Sequence, residues 1–477
     1  MLGKSKMNRK LVILMAVTFF GVAAIAVVFL APGDPRAHDA SARPVVESFA
    51  EEQSPVTRVA AAAEDLLSWS RFRGPNGSGI SNDERIPTQW NDTQNLKWKT
   101  KIVGPGSSSP VVTEQHVFIT YYSGYGEDRS GAGDIEKLQR HLSCVNRADG
   151  SIAWTRTIAA VLPEDRYQGM GVPEHGYATN SPVTDGKSVF AFFGKAGVYA
   201  YDLNGSELWH VSVGTESGNR GWGSAASPIL YGDMIIVNAA EESHAVVALN
   251  KHTGAVVWRA EASALELCYS TPAIVHVNDN RDDIVIAVPG EIWGLNPLTG
   301  KLIWFVETSL TENLSPSIIV DGINVYAFGG YRSSGSVAVR AGGQGDVTQT
   351  TVLWTSRNSS YVATPVLWEK KLHWIDDRGM YYCANAETGE LIHRARTPGI
   401  SSGERPVYAS PLVINGKIYA QTRSSGLFVL DPTEQFKVVS QNKFPGDEST
   451  FNATPAVDGG QLFLRSYDYL YCIAKDE

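Results

Sequence analysis

The chain has 477 residues, a formal charge of −9, 19% charged residues and 45 glycines. That length holds two or three ordinary domains or one large repeat array, and the low charge and abundant Gly suit a turn-dense β protein. The acidic balance, with no basic run after the first ten residues, excludes sequence-independent nucleic-acid binding, which needs clustered Lys and Arg.

The first ten residues carry Lys4, Lys6, Arg9 and Lys10, and residues 11–30, "LVILMAVTFFGVAAIAVVFL", carry no charge. Twenty helical residues span about 30 Å, one bilayer core, whereas a cleaved signal has an apolar core of about 7–15 residues. Residues 1–30 therefore read as a signal-anchor or transmembrane helix, with a cleaved signal as the alternative. Either way the basic end stays cytoplasmic and the remainder is exported to the periplasmic or envelope side. Residues 31–67, rich in Ala, Pro, Ser and Glu, read as a flexible tether. The ordered domain is expected over 68–477, starting near Trp69.

From there the chain repeats. Ser-Pro or Thr-Pro opens an apolar run at Pro110, Pro182, Pro228, Pro272, Pro316, Pro365, Pro411 and Pro455, with spacings of 72, 46, 44, 44, 49, 46 and 44. Each unit continues with short alternating runs such as "SVFAFFG" (188–194) and "GVYAYD" (197–202), an Asn/Asp–Gly turn, and a last run near a Trp. Four short strands per unit of about 45 residues is the pattern of a propeller blade.

The third run aligns the units. Its small position holds Cys144, Ala200, Ala248, Gly294, Ala338, Cys383, Val429 and Cys472. Two residues on stand Asn146, Asp202, Asn250, Asn296, Arg340, Asn385, Asp431 and Ala474. Asn and Asp suit that place because their side chains bond the backbone of the following turn. Gly150, Gly205, Gly254, Gly300 and Gly389 supply its positive φ. Units 5 ("RAGGQGDVTQTTVLW") and 7 ("DPTEQFKVV") depart. Trp154, Trp209, Trp258, Trp304 and Trp354 share one position, with His393 there in unit 6, and are expected to dock between blades, each burying about 150–250 Å². At about 25 cal/mol per Å² that is at most roughly 4–6 kcal/mol apiece. The eighth unit ends after three strands, and "LKWKTKIVG" (96–104), with Trp98, is the missing fourth. An N-terminal strand is expected to close the ring and remove its open edge.

These residues resemble the PQQ-like repeat proteins, whose docking motif reads A-x-[DN]-x-x-T-G-x-x-x-W. "ALNKHTGAVVW" (248–258) matches in full and "GLNPLTGKLIW" (294–304) at all but one place. The resemblance covers about 95–477 and implies an all-β, eight-bladed propeller. "WSRFRGPNGSGIS" (69–81) looks like the lead-in of an exported bacterial subgroup. Quinoprotein alcohol dehydrogenases, one branch, hold pyrroloquinoline quinone and Ca²⁺ and carry a vicinal Cys-Cys disulfide; none of Cys144, Cys268, Cys383 or Cys472 has a Cys neighbour. The BamB-like assembly factors, another branch, are nearer in length, though this chain lacks their lipid-anchor Cys.

No metal spacing, nucleophile elbow or phosphate loop is present, so no catalytic, cofactor or metal residue is assigned. The cysteines are expected to be buried free thiols, three of them replacing Ala or Gly in the repeat. Long loops over blades 1–3 supply Arg166, Tyr167, Glu174, His175, Tyr177, Arg220 and Trp222, a candidate partner-binding face. Tyr269, Asn313, Tyr408 and Asn452, just ahead of the Ser/Thr-Pro dipeptides, are expected at the channel mouth, with Glu174, Glu266 and Glu312 nearby. The reading is a monomeric, membrane-tethered scaffold that binds envelope or outer-membrane proteins without a cofactor. The alternatives are a quinone-dependent oxidoreductase, with pyrroloquinoline quinone and Ca²⁺, and a carbohydrate-binding envelope module.

Overall fold

The computed structural model describes residues 42–49, 69–127, 133–166, 176–331, 334–401, 405–433 and 436–476. The apolar stretch 11–30 lies outside them. Among the described residues no helix is long and apolar enough to cross a membrane. Within the span read as a tether, Val45–Ser48 form a strand.

Alternating apolar runs joined by tight turns fold here into eight antiparallel blades. Blade 1 is typical, with strands Val111–Val112, His116–Ser123, Gln139–Asn146 and Ile152–Ala159 running outward from the channel. The sequence-distant closure is present. Leu96–Lys101 pairs antiparallel with Tyr469–Ile473, setting Trp98 opposite Cys472. The first and last parts of the repeat region thus share blade 8, and the sheet edge that a three-stranded unit would leave open is paired.

The Ser/Thr-Pro dipeptides have a function in the fold that their turn chemistry alone does not suggest. A backbone N–H from each blade donates to a hydroxyl of the next, at 2.9–3.2 Å, in a closed circuit: Ser109 to Ser181, Ser227, Thr271, Ser317, Thr364, Ser410, Thr454 and back to Ser109. Proline follows seven of these residues and fixes the chain as it enters the innermost strand. Blade 5 corrects the sequence alignment. Its hydroxyl is Ser317, after Pro316, and not Ser315 before it. With Ser317 the uneven spacings of 44 and 49 become 46 and 47.

The Trp positions show why the turn residues are what they are. The indole N–H of Trp98, Trp154, Trp209, Trp258 and Trp354 donates to the next blade at Arg147, Leu203, Lys251, Pro297 and Ala386 O, at 2.9–3.0 Å. Each acceptor directly follows the turn Asn or Asp, whose own side chain caps the turn, as Asn296 does by accepting from Leu298 and Thr299 N–H. The turn glycine lies under the indole. A Cβ on Gly300 would stand 2.4 Å from the Trp258 ring.

Trp304 departs from this pattern. Blade 5 lacks the Thr-Gly turn, and Trp304 donates instead to Asp283 Oδ2 of its own blade at 2.6 Å. Its ring covers Gly294, where a Cβ would meet it at 2.1 Å, so the one mismatch of that motif makes room for the altered indole. Trp304 still packs in the cluster between blades 4 and 5. His393 and Phe436 stand 5.8 Å apart between blades 6 and 7. In blade 7, which has Ser440 opposite Val429, Trp90 arrives from upstream to stack on Tyr419 at 6.4 Å. All four cysteines are buried and unbridged.

Candidate functional site: a blind aromatic funnel

The lead-in segment 69–81 plugs the channel. Trp69, Arg71 and Arg73 are at most 3% exposed. Just below the hydroxyl circuit, Trp69 and Ser70 O accept from Val112 and Thr184 N–H in blades 1 and 2. Arg71 donates to Pro272 O in blade 4, and Asn76 bonds Ile274 through both its amide N and O. Arg73 donates to Thr364 and Pro365 O in blade 6 at 3.0 Å each. Ile80–Ser81 then runs parallel to Leu412–Ile414, the inner strand of blade 7. Backbone carbonyls here accept from two buried guanidinium groups. The glycines of the motif permit the tight path: a Cβ on Gly74 would lie 2.8 Å from the Trp69 ring, at φ 68°.

Above the plug the channel widens into a cavity of about 1550 Å³, floored by Phe72 and lined by all eight hydroxyls of the circuit. Its mouth carries a continuous arc of rings and cations. Tyr269 lies 5.9 Å from Trp222, Trp222 6.5 Å from Tyr331, and Tyr331 5.5 Å from Tyr361. Arg220 stands 5.8 Å from the Trp222 ring and 5.7 Å from that of Tyr331. The arc continues with Arg405, 5.0 Å over Tyr361, and Arg423, 4.9 Å over Tyr408. Arg423 bonds Asn452 at 3.1 Å, and Asn452 bonds Tyr467 at 2.8 Å. These separations are within the range of cation–π attraction.

The loops over blades 1–3 are held from below by buried charge. Arg140 grips Glu164 with two bonds, at 2.5 and 3.0 Å. Lys195 holds Pro163 O, Asp165 and Ser217 at 2.7–3.1 Å. Next to them the short helix Ala240–Ser243 buries two carboxyls. Burial, opposed by a bond from Ser224, pushes Glu242 up to about 8. Burial, reinforced by the charges of Asp165 and Glu266, pushes Glu241 up to about 7. In both, desolvation penalises the ionised form.

Of the residues expected on the partner face, Arg220 and Trp222 come together at the funnel mouth. Arg166 is exposed. Tyr177 is a correction: it is 8% exposed, donates to Asp165 O at 2.6 Å and packs edge-on against Tyr122, so it supports the loop. Tyr167, Glu174 and His175 lie outside the described residues. Of the expected mouth residues, Tyr269, Tyr408 and Asn452 line the cavity, while Asn313 is buried. Glu266 accepts from Asn219 N–H, and Glu312 stands 3.6 Å from Arg220. Phe72, Tyr361, Arg405, Arg423 and Tyr467 were not singled out from sequence. The signal for them was position, since Tyr361 and Arg405 fall in the loops ahead of Thr364 and Ser410.

The family model described as outer membrane protein assembly factor BamB matches residues 138–395, just over half the chain. The chain belongs to this family. No curated protein matches the sequence. Among solved structures, BamB from Moraxella catarrhalis aligns with a TM-score of 0.54 at 15% identity, over 80% of this chain and 98% of its own. A europium-containing methanol dehydrogenase aligns at 0.58 and 11% identity, over 86% and 98%. At such identities these likenesses show the propeller fold alone.

Proposed function

We propose that the chain is a non-catalytic binding or assembly scaffold of the cell envelope, with the funnel mouth as its partner-binding surface. The observation that carries this reading is the ring-and-arginine arc around a blind funnel. Aromatic and Arg side chains dominate the energetics of protein interfaces because they bury large area at low entropic cost while keeping a polar handle. The family description, an outer membrane protein assembly factor, supports an assembly role. The partners are envelope or outer-membrane proteins, and residues 11–30 are the membrane anchor. The propeller acts as a monomer, without nucleic acid or cofactor.

A quinone site would need a stacking ring, a divalent cation on the quinone carbonyls and a carboxylate base. The funnel offers rings, but its lining carboxylates are Glu127, Glu448 and Asp468. Asp468 holds Lys101 at 2.7 Å, and Glu127 accepts from Gly124 N–H. These three come from loops of blades 1, 7 and 8; on the Trp222 side Glu312 stands 3.6 Å from Arg220, and the scaffold reading assigns none of these carboxylates as a quinone base. Tryptophan fluorescence of the purified protein, titrated with pyrroloquinoline quinone and Ca²⁺, tests the point. No saturable quenching is expected; submicromolar quenching lost on chelation would promote the oxidoreductase.

A further inference from the structure

The outer strand of a blade turns half its backbone N–H and C=O groups outward, and proteins cover such edges. On blade 3 the outer strand, Val256–Glu261, is covered by residues from far upstream. Val45, Val46, Glu47 and Ser48 pair antiparallel with Glu261, Ala260, Arg259 and Trp258, and Phe49 N–H donates to Val257 O at 3.0 Å. Val45 and Phe49 point outward, 72% and 62% exposed. Recognition by side chain therefore falls to two residues. Val46 packs on the apolar cluster shared by blades 3 and 4. Arg43 reaches across to blade 4, donating through Nε and Nη2 to Glu291 Oε1 at 3.1 and 2.8 Å, with its Cζ 3.5 Å over the Phe305 ring.

That receptor is built for a guanidinium. Glu291 is 2% exposed, and its second oxygen takes the Trp293 indole N–H at 2.5 Å. A buried carboxylate left with one indole partner is costly, and a planar fork over an aromatic face satisfies it. By contrast, the cover on the outer strand of blade 4 is the two residues Gly345–Asp346 in parallel register.

We propose that the blade 3 edge with its Glu291 pocket is a recognition site for an extended segment of the pattern Arg-x-x-Val. The chain's own residues 43–48 hold it in cis, and a partner strand of the same pattern takes it when that segment leaves. This is recognition by strand addition, with the ladder supplying affinity and the Arg and Val positions supplying specificity. It stands apart from the funnel and does not rest on the scaffold reading.

A fluorescein-labelled peptide of residues 40–50 tests it by anisotropy against the whole protein. The Arg43→Ala protein, its cis segment weakened, should bind the peptide at least tenfold tighter than the unaltered protein. A peptide with alanine for its arginine should bind at least tenfold more weakly. Amide exchange gives a second readout: outer-strand amides at 256–261 should exchange faster in Arg43→Ala and regain protection with the peptide. Equal binding of the two peptides, or no binding to Arg43→Ala with exchange unchanged, overturns the proposal.

Discussion

Gly300 separates two reasons for a turn glycine. It has φ 71°, and an added Cβ would strike the Trp258 ring at 2.4 Å; Gly322 has φ 60° with nothing within 4 Å. Both Gly→Ala changes strain the backbone, so the difference between them reports the indole. Gly300→Ala should cost about 2 kcal/mol more than Gly322→Ala in denaturant unfolding. The hydroxyl circuit makes a similar contrast. Ser181→Ala orphans the buried Ser109 N–H and should cost about 1–3 kcal/mol, whereas Ser315→Ala should stay within about 0.5 kcal/mol. Equal costs would return blade 5 to the Ser315 register. Glu242 carries the pH prediction. Its folded pKa is raised, so the folded state holds a proton that the unfolded state releases above 4.5, and stability falls as pH rises from there to about 8. Glu242→Gln should flatten that decline, which is on the order of a few kcal/mol; melting curves across this window show it. The Trp and Gly positions were legible in sequence because they repeat. Trp304's turn to Asp283 was not, because it follows from what the next blade lacks.

At the level of elements, closure by Leu96–Lys101 was readable as arithmetic, three strands at one end and one at the other. Deleting residues 91–103 should expose the edge at Tyr469–Ile473 and empty the Trp98 seat on Gly150. Light scattering should show aggregation where the intact chain stays dispersed; an unchanged melting temperature would contradict closure. The plug is different. "WSRFRGPNGSGIS" was visible as a motif, but its place was not, since its contacts reach blades hundreds of residues away. Arg73→Ala removes a buried cation from two carbonyls and should cost on the order of 3 kcal/mol or more, with Arg73→Lys recovering only part because a single ammonium cannot span both acceptors.

For the molecule as a whole, the eight-fold repeat was legible because every blade repeats the same packing problem. The funnel arc was only half legible. Trp222, Tyr269 and Tyr408 stood out as loop aromatics, but Arg405 and Arg423 gain meaning only when the ring brings their blades round to face Tyr361 and Tyr408. Loops of unrelated length and composition converge there, and no local pattern records that convergence. The claim that this mouth receives a partner is tested most directly by site-specific photocrosslinking in intact cells. One crosslinking residue replaces Tyr361 in the arc, and another replaces exposed Lys301, beside the docking turn of blade 4 at the other end of the strands. The account predicts discrete protein adducts from position 361 and none from position 301. Adducts from both positions alike, or from neither, would contradict it.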